Sequence, residues 1–256
     1  MAVRSPVINV MVTAATKVAR ALNRDFGEIE QLQASRSGSW DFTNRSFQHG
    51  ARILRETLSK ARPVSQVNIP GFSVEEPNSR ASELWIADPI SGKTNFAHGI
   101  PHFAVSIAYL TNSETKSAVI YDFINDNLYW AEKGAGAYRN DRRIRVSKRH
   151  NVSDLVFGNF EAQPDIDRCH TAQAGVAKMG SSVRILGSPA LDLALVASGV
   201  FDGFWSFSAK PAELSGGKLL IGEAGGFSQT GICENSGIAA SNGQNNTKLM
   251  EILGLK

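Results

Sequence analysis

The sequence predicts an α/β protein built from two linked halves, and three observations carry that expectation. Apolar residues recur at helical spacing near the start, strand-like runs then follow one another across short turns, and beyond about residue 150 strands and helices alternate. The first pattern describes helices packed on an antiparallel meander, the last a mixed or parallel sheet covered by helices. The change of style between Val146 and Asp154 places the boundary, giving halves of residues 1–148 and 149–256.

Ile8, Val10, Met11, Ala15, Val18, Ala19 and Leu22 share a helical face, which predicts an amphipathic helix over Ile8–Phe26. A second helix is expected over Phe47–Ala61, closed by Pro63. Val67–Val74 is β-like, Pro77 to Arg80 reads as a loop, and Leu84–Ala87 as a short buried strand. Phe103–Leu110, Ser117–Asp122 and Leu128–Glu132 read as three strands, with turns at Asn125-Asp126-Asn127 and at Arg139 to Arg142. In the second half Leu155–Asn159, Val183–Leu186, Phe201–Phe207 and Ile238–Ser241 are strand-like. Asp165–Met179, Pro189–Ser198, Ala212–Glu223 and Thr247–Leu253 are helical.

Composition narrows the class. With 256 residues, 42% hydrophobic and 20% charged, the chain has material for one large domain or two intimate halves with real cores. No apolar run reaches 18 residues and no signal-peptide pattern opens the chain, so a cytoplasmic protein without membrane association is expected. Cys169 and Cys233 lie far apart and read as free thiols. A net charge of +3 is weakly basic. The densest positive cluster, Arg139 to Arg149, reads as a solvated hairpin, with contact to an anionic partner left open.

The chemistry concentrates in Trp85-Ile-Ala-Asp-Pro-Ile-Ser-Gly-Lys-Thr-Asn-Phe96, where an apolar strand runs into an acid, a proline, a Gly turn and polar residues. A buried carboxylate at Asp88 needs a cation or donors. Glu75 and Glu76 end the preceding segment, close enough by strand pairing to join Asp88 in a hard-oxygen site suited to Mg²⁺. Gly92-Lys93-Thr94 suggests a P-loop, but Ala87 occupies the position of the required second glycine. Gly134 and Gly136 have no following helix, so no dinucleotide fingerprint is present. His98 and His102 read as polar turn residues.

The chain resembles the inositol monophosphatase family, most closely its bacterial SuhB-type (extragenic suppressor) branch. The matching stretches are Phe26 to Gln33, Val74-Glu-Glu76, Trp85 to Phe96, His98 to Ile107, Glu132 to Tyr138, Gly187-Ser-Pro-Ala-Leu-Asp192, Gly199 to Trp205, Lys210-Pro-Ala-Glu-Leu214 and Glu223 to Gly226. The resemblance implies an αβαβα layered sandwich, a homodimer, and Mg²⁺-dependent hydrolysis of a phosphorylated polyol or sugar. For the SuhB-type branch it also implies an association with transcription and RNA-processing factors.

Carried over by position, the resemblance implies metal ligands at Glu75, Asp88, the Ile90 carbonyl and Glu213. It implies catalytic positions at Glu75, Asp88 and Lys93, and substrate contacts from Ser91, Gly92, Lys93, Thr94, Gly187, Ser188 and Ser206. Several of these depart from the family pattern. Ser91 stands for a bridging Asp, Lys93 for a Thr that orients the attacking water, and Glu213 for the Asp of a Pro-Trp-Asp motif whose Trp is here Ala212. Asp41 matches an early acid, its partner acid is here Phe47, and Ser206 replaces a Glu that contacts substrate hydroxyls.

Glu75, Asp88 and Glu213 set against Lys93 leave a net charge of about −2 where the pattern has about −4. An ammonium roughly 4 Å from Mg²⁺ costs on the order of 8 kcal/mol at an effective dielectric of about 20. The expectation is a single weak Mg²⁺ and hydrolysis lost or strongly reduced, the alternative being a non-catalytic SuhB-type regulatory protein.

Overall fold

The computed structural model describes residues 3–32, 36–72, 82–161, 166–234 and 236–255. Two long helices come first, α1 (Pro6–Leu32) and α2 (Arg36–Ala61). α1 extends the expected span at both ends, and α2 starts well before Phe47. The early part of α2 is polar, with Ser39, Thr43 and Ser46 buried, so no apolar stripe announces it.

Strands β1 (Gln66–Asn68), β2 (Glu83–Ser91), β3 (Ala104–Thr111), β4 (Glu114–Asp122), β5 (Asn127–Glu132), β6 (Gly136–Arg139) and β7 (Arg142–Arg143) form one sheet in chain order, with the short helix α3 (Lys93–Ala97) between β2 and β3. All neighbours are antiparallel except β1 and β2. Of the β-like run expected over Val67–Val74, only Val67 and Asn68 lie in β1, because Pro70 and Gly71 (φ 84°) turn the chain; Ser73 and Val74 lie outside the described residues. The loop expected at Pro77 to Arg80 lies outside the described residues. β2 is longer than expected and continues through Pro89 to Ser91, with an irregular register between Asp88 and Ser91.

The remaining elements are β8 (Val156–Asn159), α4 (Ile166–Lys178), β9 (Ser182–Arg184), α5 (Pro189–Ala197), β10 (Gly203–Ser206), α6 (Pro211–Glu223), β11 (Phe227–Cys233), β12 (Ser236–Ser241) and α7 (Asn246–Ile252). Their sheet runs β11-β12-β10-β8-β9, parallel across β10-β8-β9 and antiparallel at β12 and β11. The edge strand β11 goes unread in the sequence, since Ser228, Gln229, Thr230 and Gly231 carry turn chemistry and little apolar signal.

Period-two alternation sorts the side chains into layers. Val105, Val119 and Trp130 face α1 and α2, whereas Ala104, Ile120 and Tyr129 face α5, α6 and one side of the second sheet. On the second sheet Phe204, Ile238 and Ala240 join that middle layer, while Phe157, Trp205 and Ala239 pack with α4 and α7. The order is helix, sheet, helix, sheet, helix. Close approach of α5 and α6 depends on Gly217, where an added Cβ would lie 2.5 Å from the Leu193 side chain.

Candidate functional site

The Asp88 to Ser91 irregularity builds the floor of a cavity of about 350 Å³. Pro89 has no N–H to give the ladder, and its ring packs so close to α2 that a Cβ on Gly50 would lie 2.9 Å from it. The chain folds back so that the Ile90 N–H donates to Asp88 Oδ1 at 2.9 Å. Gly92 then turns with φ 108° against the His102 carbonyl and Phe103, a position where only glycine is relaxed. That turn launches α3 and puts Lys93 on the cavity wall.

Lys93 Nζ lies 3.2 Å from the centroid of the Phe47 ring, a cation held on an aromatic face. Burial pushes its pKa down, against the pull of Asp88 and Glu213. Two of the departures from the family pattern therefore touch each other: the ring at position 47 seats the ammonium at position 93. Burial also lifts the Asp88 carboxyl to about 6, opposed by the Ile90 N–H and Lys93 and reinforced by Glu213. Glu213 sits in the first turn of α6, where a carboxylate favours the helix dipole, and accepts the Lys210 N–H at 2.8 Å.

Of the residues implied for the site, Asp88, Ile90, Ser91, Gly92, Lys93, Thr94, Gly187 and Glu213 line the cavity. Asn95 brings Gly187 there by donating from Nδ2 to the carbonyls of His102 (2.6 Å) and Leu186 (2.7 Å). Ser91 is buried, and its Oγ accepts the Ala190 N–H at 3.3 Å, so the hydroxyl serves the start of α5. Ser188 is fully buried beneath it and donates to the Ser91 carbonyl at 2.8 Å. Ser206 is also fully buried, its Oγ accepting the Ala209 N–H at 2.9 Å. Neither Ser188 nor Ser206 is among the lining residues, because each hydroxyl is taken up by backbone. Asp41 is exposed on α2, and Glu75 lies outside the described residues.

The cavity also holds residues that sequence reasoning missed, Phe160 and Glu161 at the end of β8. No motif marks them; they arrive because β8 pairs with β10, with Asn159 opposite Trp205. His102, read as a turn residue, instead reaches the fully buried Asp192 of α5, with Nε2 and Oδ1 2.8 Å apart. In the basic segment Arg142, Arg143 and Arg145 are exposed, whereas Arg149 is tied to Asp202 and to the carbonyls of Gly199 and Val200.

Among the described residues no three acidic, His or Cys side chains converge as a metal-holding group. Asp88 and Glu213 both lie in the field of Lys93, the Ser91 hydroxyl faces α5, and the Glu161 carboxylate is held by amide donors. Among the described residues this donor set does not fit a pair of divalent cations, which require converging hard oxygens and no ammonium in their shell; Glu75, the remaining implied ligand, lies outside them.

The Asp88 shift gives a stability prediction. Its folded pKa lies above the unfolded value of about 3.9, so between about pH 4 and 6 the folded state holds more protons and stability falls as pH rises. Relative to Asp88→Asn, the native protein should lose about 1–2 kcal/mol from pH 4 to 7 in urea titrations, a figure reduced from the full shift because the cavity admits water. A constant difference across that window would contradict the assignment.

Comparison with known proteins agrees with this architecture. Residues 3–254 match the model of the inositol monophosphatase family. The inositol-1-monophosphatase of Rhizobium meliloti is 43% identical over 88% of this chain and 85% of that protein. The Nus factor SuhB of Escherichia coli is 32% identical over 87% of this chain and 84% of that protein. The crystal structure of the extragenic suppressor protein suhB from Bartonella henselae superposes with a TM-score of 0.87 at 36% identity, covering 98% of this chain and all of that one. No helix among the described residues is long and apolar enough to cross a membrane. With its layered fold, its β2 motif and matches spanning nearly its whole length, the chain belongs to the inositol monophosphatase family.

Proposed function

We propose that the cavity binds a phosphorylated polyol or sugar while hydrolysing it at a lost or strongly reduced rate. The observation that carries this reading is Lys93, an ammonium seated on Phe47 beside Asp88 and Glu213. A phosphate monoester dianion finds in it a point charge that requires no metal. A divalent cation in the same space meets that charge as repulsion and lacks the carboxylate that Ser91 does not provide. Relatives named inositol-1-monophosphatase support the phosphate-ester class of ligand. Relatives named Nus factor SuhB support a second reading, a regulatory protein of the same fold with exposed Arg142, Arg143 and Arg145 offered to an anionic partner.

Phosphate release from inositol 1-phosphate, measured with and without millimolar Mg²⁺ beside the Rhizobium meliloti relative, tests the first reading and bears on the second. Turnover at least ~100-fold below that relative, unchanged by Mg²⁺, is expected, in line with the loss of metal charge and of ~1 Å positioning at Glu213. Comparable metal-dependent turnover would overturn the loss of hydrolysis and remove the case for a purely regulatory protein.

A further inference from the structure

The half-buried carboxylate of Glu161 is part of the cavity wall. It is fixed from one side: Oε1 accepts the Phe207 N–H at 2.8 Å and Asn159 Nδ2 at 3.3 Å, and Oε2 accepts the Ser208 N–H at 3.0 Å. An ionised carboxylate offers about four acceptor positions, so three donors leave capacity directed elsewhere. The same residue borders a second cavity of about 220 Å³, lined also by Cys169, His170 and Gln173. Glu161 thus forms the partition between the two spaces, held rigidly enough to orient a ligand.

Its chemistry is opposite to that of Lys93 in the same cavity. An ammonium attracts a phosphate group and a carboxylate attracts hydroxyl donors, so the two residues offer different partners to one ligand. We propose that Glu161 is the specificity-determining residue that accepts the hydroxyls of a phosphorylated polyol, acting from β8, whereas Ser206 on the neighbouring β10 is buried and serves the backbone of Ala209. The proposal rests on reading the cavity as a phosphorylated-polyol site, and it adds which residue recognises the polyol.

The test is equilibrium binding to the intact protein in the presence of a metal chelator, with inositol 1-phosphate and inorganic phosphate as separate probes. Glu161→Gln removes the charge and keeps an acceptor oxygen for one of the two amides, Phe207 on Oε1 or Ser208 on Oε2, so its folding is checked by circular dichroism before binding is measured. It should weaken inositol 1-phosphate about tenfold and leave inorganic phosphate unchanged or tighter. Glu161→Asp, which keeps the charge but withdraws it by one methylene, should weaken inositol 1-phosphate several-fold, and it decides the matter if the Gln variant does not fold. Unchanged inositol 1-phosphate affinity, or equal loss for both probes, would overturn the role of Glu161. Failure of the native protein to bind either probe would instead overturn the phosphorylated-polyol reading, and this assignment with it.

Discussion

Ser91→Asp, Lys93→Thr and Glu213→Asp introduced together are expected to raise Mg²⁺-dependent phosphate release from inositol 1-phosphate by about 100-fold or more. Removing the ammonium abolishes a repulsion on the order of 8 kcal/mol at a metal roughly 4 Å away. Adding a carboxylate at position 91 restores negative charge next to the start of α5, where the Ala190 N–H already points. That location suits an anion, because the helix dipole favours it and the Ala190 N–H now given to the Ser91 hydroxyl can be given to the carboxylate. At position 213 the shorter acid keeps its charge in the first turn of α6 while drawing the carboxylate back by one methylene. Calorimetric Mg²⁺ titration is the companion measurement. If neither Mg²⁺ affinity nor phosphate release rises, the site has diverged beyond these three positions, and Phe47, left without its cation, is the next residue to exchange.

His102→Ala should lower the stability of the protein by roughly 2–4 kcal/mol in denaturant unfolding. Asp192 is fully buried on α5, and its Oδ2 has no hydrogen-bond partner, so the imidazole carries most of the compensation for this carboxylate. Burial raises the Asp192 pKa, and the contact with His102 is the main influence opposing that rise. Asp192→Asn keeps the shape and removes the charge, and should cost less than His102→Ala. The double variant should cost less than the two single changes added together, because the contact is lost only once. Additive effects would mean that the pair does not act as a unit. Since α5 begins at the cavity wall, with Pro189 lining it, loosening this pair should also weaken ligand binding.

Much of the fold was legible because its elements are amphipathic. Val119 and Ile120 face opposite layers, and that alternation is visible in the sequence as surely as in the sheet. The early half of α2, the edge strand β11 and the extension of β2 past Asp88 were less legible. In each the local residues give no periodic apolar signal. In the site, Lys93 and Ser91 could be identified as departures from a pattern, but their consequences could not. Only folding brings the Phe47 ring under Lys93 and the start of α5 over Ser91. Glu161 had no signal at all, since its position in the cavity comes from the pairing of β8 with β10.

The sequence by itself determined the class of the protein and its kinship. Periodicity sorts side chains between layers, and the Trp85 to Phe96 motif and its companions are long enough to identify a family. Tertiary structure alone decided which polar groups reach the cavity. A hydroxyl such as Ser188 or Ser206 satisfies whichever donor or acceptor folding places nearest, and here that is buried backbone. A charge such as Lys93, Asp88 or Glu161 takes its effect from the burial and the neighbours that three-dimensional packing imposes.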